Sequence, residues 1–127
     1  MKNSPDSSKK VVIVTGAGKG IGFATVSELI SLGYIVYACT FRDRDRLISY
    51  KEKLGEESNY LHIKLFDIND FPQTKDNVIE IYNRHKRIDA LINCAAVPFG
   101  SLFSMTKIDD LISIMQTNFI SQINLIQ

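Results

Sequence analysis

Val12-Ile13-Val14-Thr15-Gly16-Ala17-Gly18-Lys19-Gly20-Ile21-Gly22 decides how this chain is read. An apolar, β-branched run enters a glycine-rich turn, and the turn enters an amphipathic segment, so a buried strand passes directly into a helix. Glycines at such a junction let backbone N–H groups come close to an anion, and the positive end of the following helix favours its charge. The stretch therefore has the makings of a phosphate cradle. The common dinucleotide-binding spacing G-x-G-x-x-G is not quite present, because Ile21 stands where its last glycine falls. The spacing present is T-G-x-x-x-G-x-G. The plainer reading, glycines serving only turn geometry or close helix packing, accounts less well for four of them within seven positions.

On either side of this stretch the chain alternates strand and helix. Val11 to Thr15 reads as a fully buried strand, and Gly20 to Leu32 as a helix stopped by Gly33. Tyr34 to Phe41 is a second strand. Arg42-Asp43-Arg44-Asp45-Arg46 opens a helix that runs to about Leu54 and ends at Gly55, and Tyr60 to Phe66 is a third strand. Asp70 with Gln73 caps a helix that tolerates Pro72 in its first turn and runs to about Lys86. Ile88 to Asn93 is a fourth strand and Cys94 to Met105 a loop. Thr106 with Asp109 caps a last helix, with Ile108, Leu111, Ile112, Met115, Phe119, Ile123 and Ile126 along one apolar face. The pattern predicts parallel βαβ units in a three-layer α/β sheet, with right-handed crossovers giving the strand order 3-2-1-4.

Composition sets outer bounds. The 127 residues carry a net charge of +1, with 45% hydrophobic and 23% charged residues, as expected of one ordinary globular domain. Such a balance argues against a nucleic-acid or anionic-membrane partner. No apolar run reaches the ~18 residues that a membrane helix needs. Residues 1–10 read as a polar, flexible lead without a signal-peptide core, and cytoplasmic is the expected location. Cys39 and Cys94 form neither a metal spacing nor a disulfide framework, so no metal is expected. Cys94 reads as an inert small side chain, and His62 and His85 have no partners at a recognisable spacing.

The Thr15-to-Gly22 motif resembles that of the short-chain dehydrogenase/reductase family, and three further features in the same order support the likeness. Asp67, followed by Ile68 at the end of the third strand, is similar to the family's adenine-contacting aspartate. Asn93-Cys94-Ala95-Ala96 is similar to its N-N-A-G motif, with Cys94 and Ala96 as departures. Asn118, in Met115-Gln116-Thr117-Asn118-Phe119, resembles the asparagine of the family's Asn-Ser-Tyr-Lys catalytic set. The resemblance covers residues 11–127 and implies a Rossmann-type cofactor-binding portion, incomplete at its C-terminal side. The family's serine and its Y-x-x-x-K pair are then expected beyond Gln127, with Asn118 the one catalytic residue present. Tyr60-to-Lys64 and Tyr82-to-Lys86 both spell Y-x-x-x-K; the first falls on a strand, where residues four apart lie ~13 Å away, the second on a helix that precedes the fourth strand, and both are read as chance.

The resemblance implies that Thr15, Gly16, Gly18, Lys19, Gly20, Ile21 and Gly22 form the cofactor turn, that Asp67 and Ile68 meet the adenine, and that Asn93 and Ala95 shape the far side. Thr15 reads equally as a strand residue or as a holder of the turn. The second strand ends in Cys39-Thr40-Phe41 without a carboxylate, and Arg42 follows. Thr40, Arg42 and Lys19 therefore suit a 2′-phosphate and favour NADP(H) over NAD, with Asp43 as the competing observation. Asn118 is expected to be a buried amide that needs partners. The intact protein is expected to transfer hydride between NADP(H) and a carbonyl or alcohol substrate and to form a homo-oligomer, with the 127-residue chain itself inactive. The alternatives are a non-catalytic nucleotide-binding or sensor protein and an incomplete product without independent function.

Overall fold

Period-two alternation along β1 (Val11–Thr15) and β2 (Ile35–Thr40) sends side chains to both faces of a sheet, and both faces are covered. The computed structural model of the chain describes residues 8–127; most of the lead expected over residues 1–10 thus lies outside the described residues. At its described end Lys9 donates to the Gly33 carbonyl at 3.2 Å and sits over the Tyr60 ring. With β3 (Leu61–Leu65) and β4 (Ala90–Asn93), the strands form one parallel sheet in the order β3-β2-β1-β4, as the alternating pattern predicts. The fold is Rossmann-like.

Val12, Val14, Val36 and Ala38 face α1 (Gly20–Ser31) and α2 (Asp45–Lys53), packing with Val26, Ile30 and Leu47. Val11, Ile13, Ile35, Tyr37 and Cys39 face α3 (Phe71–His85) and pack with Ile81. Asp70 caps α3 as expected, accepting from the Gln73 N–H at 3.0 Å. Asp89 fixes the start of β1 by accepting from the Val11 N–H at 2.7 Å. Among the described residues β4 pairs only with β1, which leaves its other edge without a strand. Among the described residues no helix is long and apolar enough to cross a membrane.

Several boundaries differ from the expectation. The helix expected from Arg42 begins at Asp45, and Gly55 to Tyr60 forms a 3₁₀ turn ahead of β3. The first Y-x-x-x-K pair straddles that turn and β3. In the second, Lys86 is the left-handed C-cap of α3. Thr106 does not cap the last helix: its hydroxyl donates to the Leu102 carbonyl at 3.0 Å, and Lys107 takes the cap position.

The expected last helix is also interrupted. It runs as α4 (Ile108–Met115), a π turn over Gln116–Ile120, and α5 (Ser121–Ile126). The Ser121 N–H bonds to the Gln116 carbonyl five residues back, and the Ser121 hydroxyl lies 2.7 Å from the same oxygen. Of the expected apolar face, Ile108, Ile112, Met115, Phe119, Ile123 and Ile126 are all exposed. Leu125, outside that set, is the buried apolar side chain of α5.

His62 and His85, which have no recognisable partners in sequence, share one in space. The Tyr37 hydroxyl lies 2.8 Å from His85 Nε2, and His62 stacks on the Tyr37 ring with 4.5 Å between centroids. Burial, assisted by the Arg84, Lys51 and Lys64 charges, lowers the His62 pKa to about 4, and burial likewise lowers that of His85. A ring held below its unfolded value of 6.5 binds protons more weakly folded than unfolded. Its stabilising contribution is therefore whole above pH 6.5 and is lost as pH falls towards 4. With His62 only partly buried, screening leaves about 1–2 kcal/mol at stake. Urea midpoints measured from pH 7 to 4.5 are expected to fall more steeply for the parent than for His62→Phe, which keeps the stack. Parallel curves would refute the assignment.

Candidate functional site

The carboxyl ends of β1, β2 and β3 and the segment after β4 open into one cleft of about 620 Å³. It lies where the strand order reverses, between β1 and β4, the place at which open parallel sheets hold ligands. Gly16, Gly18, Lys19, Ile21, Gly22, Thr40, Arg42, Asp67, Ile68 and Ala95, all expected from the sequence, line it together. Thr15, Gly20, Asn93 and Asn118 do not.

Three of the glycines, Gly16, Gly18 and Gly22, are sterically dictated. Gly16 has φ +61°, and a Cβ there would meet the Ala95 nitrogen at 2.6 Å. A Cβ on Gly22 would meet the Gly16 carbonyl oxygen at 2.1 Å, so α1 starts close against the turn only because position 22 lacks a side chain. The first hydrogen bond within α1 runs from the Phe23 N–H to the Lys19 carbonyl. The amides of Gly20, Ile21 and Gly22 lie ahead of it, in the helical turn that carries the positive end of the dipole. The Ala17 N–H donates to the Cys39 carbonyl at 3.0 Å and ties the turn to β2. This cradle suits a pyrophosphate: the amides at the start of α1 stand ahead of the first helical hydrogen bond, and the close seating of turn, α1 and Ala95 that puts them there admits no Cβ at position 16 or 22.

Thr15 has a definite task. Fully buried, it accepts at Oγ1 from the backbone N–H groups of Cys94 and Ala95, each at 3.2 Å, and so hangs the β4 side of the cleft from β1. Asn93 pairs in register with Thr15 at the end of β4 but is exposed and outside the cleft wall.

At the mouth, Lys19 and Asp43 form an exposed ion pair at 3.4 Å, and Arg42 lies against the Phe41 ring. A Cβ on Gly18 would come within 2.0 Å of the Asp43 carbonyl oxygen, so Asp43 is held against the turn by its backbone as well. On the β3 side, Asp67 lies in the wall and accepts at Oδ1 from the Asn69 N–H at 2.9 Å. Cys39 is fully buried and its thiol is pushed up to about 12 by desolvation, which leaves it an inert wall atom at neutral pH.

Asn118 corrects an expectation. It sits in the π turn, exposed rather than buried on an apolar face, and both ends of its amide are engaged. Oδ1 accepts from the Val97 N–H at 2.8 Å, and Nδ2 donates to the Val97 carbonyl at 3.0 Å. Its partners come from the loop after β4, which the π turn brings within reach. Asn69, Val97 and Thr117 also line the cleft and were not expected there. Asn69 carries the only local signal of the three, an Asx residue two after a strand-ending aspartate, and that signal reads equally as a turn former.

Comparison with known proteins agrees with this geometry. The short chain dehydrogenase family model matches residues 10–127. Dehydrogenase/reductase SDR family member 7B of Danio rerio is 28% identical across the whole chain, which covers 43% of that protein. (+)-Neomenthol dehydrogenase of Capsicum annuum is 38% identical over 72% of the chain and 30% of its own length. A variant of actinorhodin polyketide ketoreductase solved with NADPH superposes with a TM-score of 0.82 at 24% identity, over 94% of this chain and 45% of that one. The chain thus spans under half the length of these relatives. Sheet order, glycine turn and family match together place the chain in the short-chain dehydrogenase/reductase family of oxidoreductases.

Proposed function

We propose that the cleft binds a nicotinamide dinucleotide, NADP(H) in preference to NAD(H), and that the intact protein uses it to interconvert a carbonyl and an alcohol. The observation that carries this reading is the pair of cations at the cleft mouth, Lys19 and Arg42, beside a β2 end without a carboxylate. The α1 amides and the glycine turn would hold the pyrophosphate, Asp67 and Ile68 the adenine, and Thr40 with Arg42 and Lys19 the 2′-phosphate. The cofactor supplies the hydride, and this chain's residues bind and orient it. Bound NADPH in the structurally similar ketoreductase supports the same choice.

Asp43 acts against the preference, because its carboxylate occupies Lys19. An exposed pair of this kind is worth roughly 0–1 kcal/mol and exchanges readily for a phosphate. Calorimetric titration of the chain is expected to give NADPH about tenfold tighter binding than NADH, the worth of one charge-assisted contact. Asp43→Asn is expected to tighten NADPH about threefold further and to leave NADH unchanged. Tighter binding of NADH by the parent would overturn the NADP(H) preference.

One observation favours a second reading, nucleotide binding without chemistry: both ends of the Asn118 amide are held by Val97, so in this structure the side chain acts as a fastener. Binding of NADPH by an intact protein that turns over no carbonyl or alcohol substrate would select it.

A further inference from the structure

The π turn and the first residues of α5 carry side chains that reach both walls of the cleft. On the β4 side, Asn118 grips Val97, and Gln122 Nε2 donates to the Ala95 carbonyl at 2.7 Å. On the β3 side, Asn69 receives the connection. Asn69 Nδ2 donates to Thr117 Oγ1 at 3.0 Å, and Asn69 Oδ1 accepts from the fully buried Ser121 hydroxyl at 2.5 Å. The Asn69 backbone N–H is bonded to the Asp67 carboxylate. From Asp67 to Val97 there is thus a continuous run of hydrogen bonds and backbone through Asn69, Thr117 and Asn118, although the two ends belong to different strand termini.

We propose that Asn69 is a positioning residue that couples the Asp67 wall to the π turn, so that an adenine nucleotide seated against Asp67 tightens the Val97–Asn118 side of the cleft. This rests on the reading of the cleft as a nucleotide site. The physical basis is that Asn69 fills both of its amide ends with partners from the α4–α5 run, Thr117 within the π turn and Ser121 at the start of α5. An ordered loop at Asp67–Asn69 fixes the directions of those two bonds, and a mobile one releases them. The π turn has backbone bonds spaced wider than those of an α-helix and is the weak point of the α4–α5 run, so side-chain bonds decide how firmly it is held. Ordering at one wall therefore reduces the motion still to be frozen at the other.

Amide hydrogen exchange on the full 127-residue chain, with and without ADP, tests the coupling. In the parent, ADP is expected to slow exchange at residues 67–69 and also at Val97 and residues 116–122. In Asn69→Ala, the slowing is expected to stop at the β3 wall and the glycine turn, with Val97 exchanging about tenfold faster than in the ADP-bound parent, the loss of one or two hydrogen bonds. Thr117→Val keeps the side-chain shape and removes one arm of the Asn69 contact. It carries the same expectation should Asn69→Ala fold poorly. A residue that merely stabilised the fold would lower the urea midpoint yet still pass protection to Val97, and that outcome would overturn the proposal. Protection confined to the β3 wall and the glycine turn in the parent also sinks it, while the nucleotide-site reading stands. If neither ADP nor NADPH binds the parent, that reading falls and the coupling falls with it.

Discussion

Gly22→Ala is expected to abolish measurable dinucleotide binding and to lower the thermal midpoint by about 10 °C, which corresponds to about 2–3 kcal/mol for a chain of this size. The cause is a contact between rigid parts. The added methyl would lie 2.1 Å from the Gly16 carbonyl oxygen and 2.8 Å from its carbon, and both atoms belong to backbone that cannot rotate away. α1 must then move off the turn, carrying its first amides out of line with the cleft. Alanine is the better helix former, so a loss of stability on this substitution would come from packing against the turn. Differential scanning fluorimetry and calorimetric titration of the same sample decide the matter. An unchanged midpoint with parental affinity would show that the turn has room the structure denies it.

Thr15→Val is the second large effect expected, and it separates shape from hydrogen bonding. Valine fills nearly the same volume but cannot accept from the Cys94 and Ala95 N–H groups. Each unsatisfied amide costs about 1–3 kcal/mol where water cannot reach it. Both residues are only partly buried, so a total of about 2–3 kcal/mol is expected in urea denaturation. Nucleotide affinity should fall as well, because Ala95 lines the cleft and loses its suspension from β1. Thr15→Ser retains the hydroxyl and should recover most of both losses. A valine variant as stable as the parent would reduce Thr15 to a strand residue.

These two residues show how unevenly the site is written in the sequence. Gly22 is legible because the glycine spacing acts within a few residues, through the same contacts that build the strand-to-helix junction. Thr15 is legible as a position and not as a function: its partners lie 79 and 80 residues away, and only the parallel pairing of β1 with β4 brings them to its hydroxyl. Asp70 was readable as a cap because the hydrogen bond that defines it spans three residues. Thr106 carries a similar local pattern and fails, since a carbonyl within its own turn, that of Leu102, takes the hydroxyl first.

The sequence by itself determined the four strands and their order, the glycine turn and the side of the sheet on which a cleft must open. Those follow from periodicity, from crossover handedness and from the steric freedom of glycine, which act locally and do not wait for the rest of the fold. Only the tertiary structure decided that the last helix bends through a π turn, that Asn118 faces out and holds Val97, that Asp43 sits against Gly18 and Lys19, and that Asn69 joins the β3 wall to Thr117 and Ser121. Helical periodicity continues unbroken through residues 108–126. What interrupts it is a set of side-chain hydrogen bonds across 21 to 52 residues of chain, and those partners meet only once the sheet has fixed where β3 and β4 end.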